Sequence, residues 1–132
     1  MMNEPETIRR ILSMRTIAVV GLSDKEGRPS YGVASYLSEH GYKIVPVNPT
    51  IKEWRGKKSY ARLEDIPIPV DVVDVFRRSE DVPPIVKSAI AVKAKAVWMQ
   101  EGIINDAAAG EAERAGLLVI MDKCMMKEHA KA

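Results

Sequence analysis

The chain has 132 residues, 46% hydrophobic and 29% charged, with 20 basic and 18 acidic side chains and a formal net charge of +2. This suits one globular domain with enough core to fold alone, and the interspersed charge excludes the concentrated basic footprint of a nucleic-acid binder. A single cysteine, no secretory leader and no apolar run long enough for a membrane span point to a reduced, cytoplasmic protein with neither an intramolecular disulfide nor a membrane partner.

In chain order, 3–14 reads as a short amphipathic helix. Asn3 is placed to cap it, Glu6 stands three residues on, and Ile8, Ile11 and Leu12 share one face. The run 16–22 is the first strand and passes into a polar, glycine-bearing loop. A helix over 30–40 follows, with Val33, Tyr36 and Leu37 on one side and Gly41 as its stop. The second strand, 43–47, ends in Asn48-Pro49. The segment 50–69 reads as a loop with a brief turn at 63–66.

The third strand, 70–76, leads to Ser79, Glu80 and Asp81, acids that suit a helix start. Pro83 and Pro84 fit only the first turn of that helix, and Val82, Ile85, Val86, Ala89 and Ile90 form its buried stripe. A fourth strand at 95–99, a small-residue helix at 105–115 stopped by Gly116, and a fifth strand at 117–121 complete the alternation. The tail, 122–132, reads as a turn closing the sheet, and the scattered methionines read as core filler.

Strands alternating with helices predict an α/β fold. The expectation is a Rossmann-like, doubly wound sheet of about five mainly parallel strands with helices on both faces. Ligands of such sheets bind beyond the carboxyl ends of the strands, at the point where strand order reverses. The residues to read are therefore those after each strand, Gly21 to Tyr31, Asn48-Pro49, Arg77-Arg78, Gln100 to Ile103 and Lys123-Cys124, and these five segments should converge on one crevice.

After the first strand, Gly21 lets a phosphate approach the backbone, Ser23 and Ser30 offer hydroxyls and Arg28 a positive charge. The loop lacks the full dinucleotide-binding glycine pattern, since Ser23 stands where its middle glycine would be. After the second strand, Val47-Asn48-Pro49 brings no carboxylate to hold ribose hydroxyls, which weakens an NAD reading and leaves NADP or coenzyme A. Arg77 and Arg78 follow the third strand, a pairing suited to a phosphorylated ligand. Gln100-Glu101-Gly102-Ile103 follows the fourth and can bond a neutral polar chain. Cys124 and His129 lie five apart, which is no metal spacing, and His40 is remote in sequence. A Cys124–His129 nucleophilic pair lacks a third member.

The chain resembles the small CoA-binding proteins whose domain is shared with the amino-terminal part of the succinyl-CoA synthetase alpha subunit. The resemblance runs from about Glu6 to His129. It is carried by Ile17-Ala-Val-Val-Gly-Leu-Ser23, Arg28-Pro-Ser-Tyr-Gly32, Ile44-Val-Pro-Val-Asn-Pro49, Val70-Asp-Val-Val-Asp-Val-Phe-Arg-Arg78, Val97-Trp-Met-Gln-Glu-Gly-Ile103 and Asp122-Lys-Cys-Met-Met-Lys-Glu-His129.

It implies that coenzyme A or an acyl-CoA lies across the strand ends. Gly21, Ser23, Arg28, Ser30 and Tyr31 would surround the phosphates and adenosine. Val47, Asn48 and Pro49 would line the next stretch, Phe76, Arg77 and Arg78 would flank the nucleotide, and Gln100, Glu101, Gly102 and Ile103 would guide the pantetheine.

The synthetase has a further domain whose histidine is phosphorylated, and this chain ends before any such domain, so binding without catalysis is expected. The alternatives are an NADP-dependent or other nucleotide-dependent enzyme, and a CoA-linked redox regulator acting through Cys124. No long exposed apolar helix names a protein partner, and the sequence does not choose between a monomer and a homo-oligomer.

Overall fold

The computed structural model describes residues 3–132. Helix α1 (Pro5–Leu12) precedes strand β1 (Thr16–Val20), and α2 (Pro29–Glu39) leads to β2 (Lys43–Val47). A small hairpin, β3 (Glu53–Trp54) and β4 (Lys57–Lys58), comes next. Then follow β5 (Val72–Val75), α3 (Val82–Ala91), β6 (Ala96–Met99), α4 (Asp106–Arg114), β7 (Leu118–Ile120) and α5 (Met125–Lys131). No helix among the described residues is long and apolar enough to cross a membrane.

The main sheet has five strands, all parallel, in the order β2-β1-β5-β6-β7. Alternation along each strand sends residues to two separate cores. Ile17, Val19, Ile44, Val72, Trp98 and Ile120 meet α1, α2 and α5 through Ile8, Ile11, Val33, Leu37 and Met125. Ala18, Val20, Val73, Val75, Val97 and Val119 meet α3 and α4 through Val82, Val86, Ala89, Ala108 and Ala112. Apolar strand positions of both parities are buried because helices cover both faces, and each such side chain contributes roughly 1.5–3 kcal/mol. The expected α/β, doubly wound architecture is the one observed. Strand order reverses between β1 and β5, which opens the ligand crevice of such sheets there.

Local signals explain most boundaries. Two prolines open α3, where the missing N–H groups would have had no helical partner. Asn105 caps α4, its Oδ1 accepting from the Ala108 N–H at 2.9 Å.

Three expectations need correction. Asn3 does not cap α1, whose N-cap is Glu4. Its side chain instead pairs with the backbone of Met121, donating to the carbonyl and accepting from the N–H, both at 2.8 Å. Edge strand β7 ends beside this residue, so the amide supplies the ladder partner that a neighbouring strand would have given.

The segment 50–69 contains the β3–β4 hairpin. Its two-residue turn has positive φ at both Arg55 (48°) and Gly56 (78°), the geometry that matches the twist of tight hairpins. It carries Trp54, which is 1% exposed and meets the Tyr31 ring edge-on at 5.7 Å.

The tail folds into α5 instead of a simple turn. Met125 is fully buried, the Trp98 indole donates to the Lys123 carbonyl at 2.8 Å, and α5 packs on α2. This packing joins His40 and His129, remote in sequence, with ring centroids 5.2 Å apart. Tyr36 stacks on His40 and bonds His129 Nδ1 through its hydroxyl at 2.8 Å.

Candidate functional site

An open cleft of about 680 Å³ lies at the carboxyl ends of β5 and β6, on the face covered by α2 and α5. Its walls come from four places. Pro29, Gly32 and Val33 belong to α2, Phe76, Arg77 and Arg78 follow β5, Gln100, Glu101 and Ile103 follow β6, and Cys124, Met126 and Lys127 belong to the α5 region.

Six of the residues singled out from the sequence therefore meet in one cavity: Phe76, Arg77, Arg78, Gln100, Glu101 and Ile103. Pro29, Gly32, Val33, Cys124, Met126 and Lys127 join them. Cys124 is where the strand-end rule expects it, after β7, whereas Met126 and Lys127 reach the cleft only because the tail is a helix and not a turn.

The first loop sits at the edge of this cleft and is held by its own hydroxyls. Ser30 Oγ accepts from the Ser23 N–H at 3.0 Å, and Ser23 Oγ accepts from the Lys25 N–H at 3.1 Å. Ser30 is buried. These bonds shape the entry to α2. No side chain caps α2; Pro29 in its first turn has no N–H to offer, and the Tyr31 N–H bonds the Arg28 carbonyl at 3.1 Å, so the positive end of the helix carries no side-chain acceptor.

Gly21 has φ +90°, and a Cβ built on it would stand 2.5 Å from the Phe76 carbonyl oxygen and 3.2 Å from Arg77 Nε. The glycine thus lets the loops after β1 and β5 close against each other at the switch point, under the Arg77 side chain.

Val47 and Asn48 are buried away from the cavity walls. Asn48 donates to the Leu22 carbonyl at 3.0 Å, and its Oδ1 accepts from the N–H and hydroxyl of Thr50 at 2.9 and 2.8 Å. It ties the β2 turn to the first loop. Gly102 sits in a turn at φ +83°, its N–H bonded to Asp122 Oδ1 at 2.7 Å.

The two arginines differ. Arg78 is exposed and spans Asp81 at 3.2 Å and Glu80 at 3.9 Å, acids that hold its guanidinium charged. Arg77 is half-buried, lines the cavity and takes part in none of the ion pairs among the described residues. Across the mouth, Lys127 Nζ contacts both Glu101 oxygens, at 3.0 and 3.2 Å.

At the floor, sequence reasoning missed Asp74. It is fully buried on β5, between Val19 of β1 and Trp98 of β6 in register. Oδ1 accepts from Gln100 Nε2 at 2.8 Å, while Oδ2 has no partner. Burial pushes its carboxyl up to about 7, against the lowering effect of the Gln100 bond.

Chemically, the cleft brings the Arg77 guanidinium and the first turn of α2 together with apolar wall from Val33, Phe76, Ile103 and Met126, the Gln100 amide and the Cys124 thiol. No three histidine, cysteine or acidic side chains come together to hold a metal among the described residues. His129 is engaged by Tyr36 and is not among the cavity walls that include Cys124.

Comparison with known proteins fits this geometry. A family model described as "CoA binding domain" matches residues 15–130. An uncharacterized Bacillus subtilis (strain 168) protein, YneT, is 42% identical over 124 residues, covering 93% of this chain and 92% of its own. Acetate–CoA ligase [ADP-forming] II of Archaeoglobus fulgidus is 27% identical over 119 residues, which span 88% of this chain but only 18% of the ligase. Among solved structures, a hypothetical protein from Pyrococcus horikoshii OT3 superposes with a TM-score of 0.93 at 41% identity, covering 97% of this chain and 91% of that one.

Proposed function

The chain belongs to the CoA-binding domain family, and from that premise we propose that its cleft binds coenzyme A or an acyl-CoA, in the cytoplasm, without catalysing a reaction by itself. One observation carries the reading most. A half-buried arginine that takes part in no ion pair among the described residues shares the cleft wall with Pro29, at the start of a helix without a side-chain cap, and with the apolar Val33, Phe76, Ile103 and Met126. A ligand with phosphates at one end and a long uncharged arm at the other matches that combination.

Phosphates would take Arg77 and the α2 N-terminus, and the pantetheine arm would run past Gln100 and Ile103 toward Cys124 and Met126. The ligase activity of the Archaeoglobus protein is not carried over, since the matched part spans so little of it.

Isothermal titration with coenzyme A, acetyl-CoA and NADP tests this. Heat with the CoA species and none with NADP is expected, and silence from every CoA species would defeat the reading. Arg77→Ala should weaken CoA binding about 10- to 100-fold, the worth of a charge-assisted bond, and flatten its salt dependence. Arg78→Ala should do less, because that side chain is already held by Asp81. Equal affinities for wild type and Arg77→Ala would remove Arg77 from the site.

Cys124 supports a second, redox reading because its side chain lines the same cleft as the expected arm. Coenzyme A disulfide entering the cleft would be attacked by the Cys124 thiolate. The ligand S–S bond breaks, a protein–CoA disulfide forms, and the second CoA leaves as its thiolate. Intact mass after incubation with CoA disulfide should show one CoA adduct that dithiothreitol reverses and Cys124→Ser abolishes. Unmodified wild-type protein would reject this reading and leave reversible binding untouched.

A further inference from the structure

We propose that Asp74 is a proton-linked positioning residue, its charge fixing which end of the Gln100 amide faces the cleft and so which ligand group the cleft accepts. The inference rests on the reading that a CoA-type arm occupies the cleft.

The geometry has three parts. Gln100 is 4% exposed, so nearly all of its side chain is enclosed, yet it forms part of the cleft wall. Its Nε2 is spent on Asp74 Oδ1 at 2.8 Å. No hydrogen bond from the described residues reaches its Oε1, which leaves an acceptor for the cleft. Asp74 Oδ2, fully enclosed, has no partner at all.

An ionised carboxylate can only accept, so it must face Nε2, and Oε1 then serves the cleft. A protonated carboxyl carries an O–H that wants an acceptor. Turning the amide over lets Oε1 take that proton in a hydrogen bond and delivers the N–H groups to the cleft instead. The cleft therefore offers an acceptor when Asp74 is charged and a donor when it is neutral. Each of the two secondary amides of the pantetheine arm has an N–H and a carbonyl; an N–H set against Gln100, with its carbonyl turned away, calls for the acceptor.

Other titratable groups do not substitute for Asp74. On α2, Tyr31 packs on Trp54 and Tyr36 bonds His129. Around α5, Lys127 is paired with Glu101 and Glu128 with Lys131, while Cys124 lines the cleft. On α1, Glu6, Arg9 and Arg10 are exposed, and Tyr42 donates to the Leu12 carbonyl. Arg77 lies beyond the end of β5. None of these bonds Asp74, whose carboxyl is governed by burial and then by Gln100.

If only the charged form accepts the arm, apparent affinity scales with the ionised fraction. Coenzyme A should then bind about tenfold more weakly at pH 6 than at pH 8, for a midpoint of about 7. The ligand's 3′-phosphate also titrates near pH 6, so 3′-dephospho-CoA is run in parallel.

Wild type should show the tenfold difference with dephospho-CoA and a difference at least as large with coenzyme A. Asp74→Asn and Gln100→Leu should both lose it with dephospho-CoA. In ligand-free wild type, the Gln100 side-chain amide resonances should titrate with a midpoint near 7, and in Asp74→Asn they should stay still. Identical pH profiles for wild type and Asp74→Asn, or a static amide in wild type, would overturn the proposal. Absence of CoA binding at every pH would instead defeat the reading of the cleft, and the ligand-free resonances would still decide the Asp74–Gln100 link.

Discussion

Asp74→Asn should make the folded protein more stable at pH 8, by an amount on the order of 4 kcal/mol, and should remove the fall in stability expected of the wild type on going from pH 4 to pH 7. The carboxyl rises from its ordinary 3.8 to about 7 in the folded state, because the charged form is enclosed with one hydrogen bond and no cation. Between those values the folded chain holds a proton that the unfolded chain has released. Stability from this group is therefore complete below pH 3.8 and is lost as pH climbs to about 7, after which it levels.

Three pH units at about 1.4 kcal/mol each set the magnitude. Asparagine can turn its Nδ2 toward Gln100 and donate to Oε1 of the turned amide, as the neutral acid's O–H does, leaving its own oxygen at the site of Oδ2. The variant thus behaves like wild type with the proton retained. Its advantage should shrink below about 1 kcal/mol at pH 4 and amount to roughly 15 °C in Tm at pH 8.

Asp71 shifts the other way. Bonds from the Arg15 and Thr16 N–H groups and from Lys95 outweigh its partial burial and lower its carboxyl, so its contribution is lost only below the ordinary 3.8 and does not mask the decline above it. Thermal or urea unfolding of both proteins at pH 4, 5, 6, 7 and 8 reads the result. Parallel curves for the two proteins would show that Asp74 carries no raised affinity for a proton.

A domain of this size is stable by only about 5–15 kcal/mol, so a penalty of that order is a large share to sacrifice to one side chain. Valine or isoleucine would suit a central strand better at that position. Costs of this kind concentrate at functional sites. The location agrees, since the one hydrogen bond of the Asp74 side chain among the described residues is to a residue in the wall of the cleft.

The two aspartates also show what a sequence can and cannot disclose. Asp71 and Asp74 stand in one apolar run, three residues apart, which places them on opposite faces of a strand. Composition treats them alike. Asp71 lies just outside β5 and closes the start of β1 by accepting two N–H groups, whereas Asp74 lies under Gln100. Only the strand order, with β5 between β1 and β6, separates a partly exposed carboxylate from one enclosed on all sides.

Where the pattern was long, it was legible. Parallel strands buried on both faces, prolines in the first turn of α3 and Asn105 at the start of α4 all follow from period, propensity and capping. Where elements were short, pattern failed. Each strand of the hairpin has two residues, too few to alternate, and its Arg55-Gly56 turn lacks the asparagine or aspartate that marks such turns. Helix α5 has seven residues and is stabilised by contacts with α2 that no local signal announces. The strand-end rule identifies the loops after β5 and β6 and Cys124 after β7, but it cannot add Met126 and Lys127, which α5 brings to the cleft.

Gly21→Ala tests how tightly the switch point is built, and it should cost about 3 kcal/mol of stability. Two effects add. An L-residue at φ +90° is strained, at roughly 1–2 kcal/mol, and the new methyl would overlap a backbone oxygen, at roughly 1–3 kcal/mol. The overlap is with the Phe76 carbonyl at 2.5 Å, which is fixed backbone and cannot swing aside as a side-chain end would. That segment is anchored from both sides. The Phe76 N–H bonds the Val20 carbonyl at 2.8 Å, and the Gly21 N–H bonds the Val47 carbonyl at 2.8 Å. Relief therefore requires β1 and β5 to part at their carboxyl ends, where the cleft begins.

Arg77 would move with the strand end, since its Nε lies 3.2 Å from the added carbon. The variant should unfold roughly 10 °C earlier and bind coenzyme A more weakly than its folded fraction explains. The binding loss should resemble that of Arg77→Ala, and combining the two changes should add little further loss of affinity. A Gly21→Ala protein with wild-type Tm would mean that the loops after β1 and β5 have room to spare. Full additivity with Arg77→Ala would mean that the glycine acts on the ligand directly, not through the arginine above it.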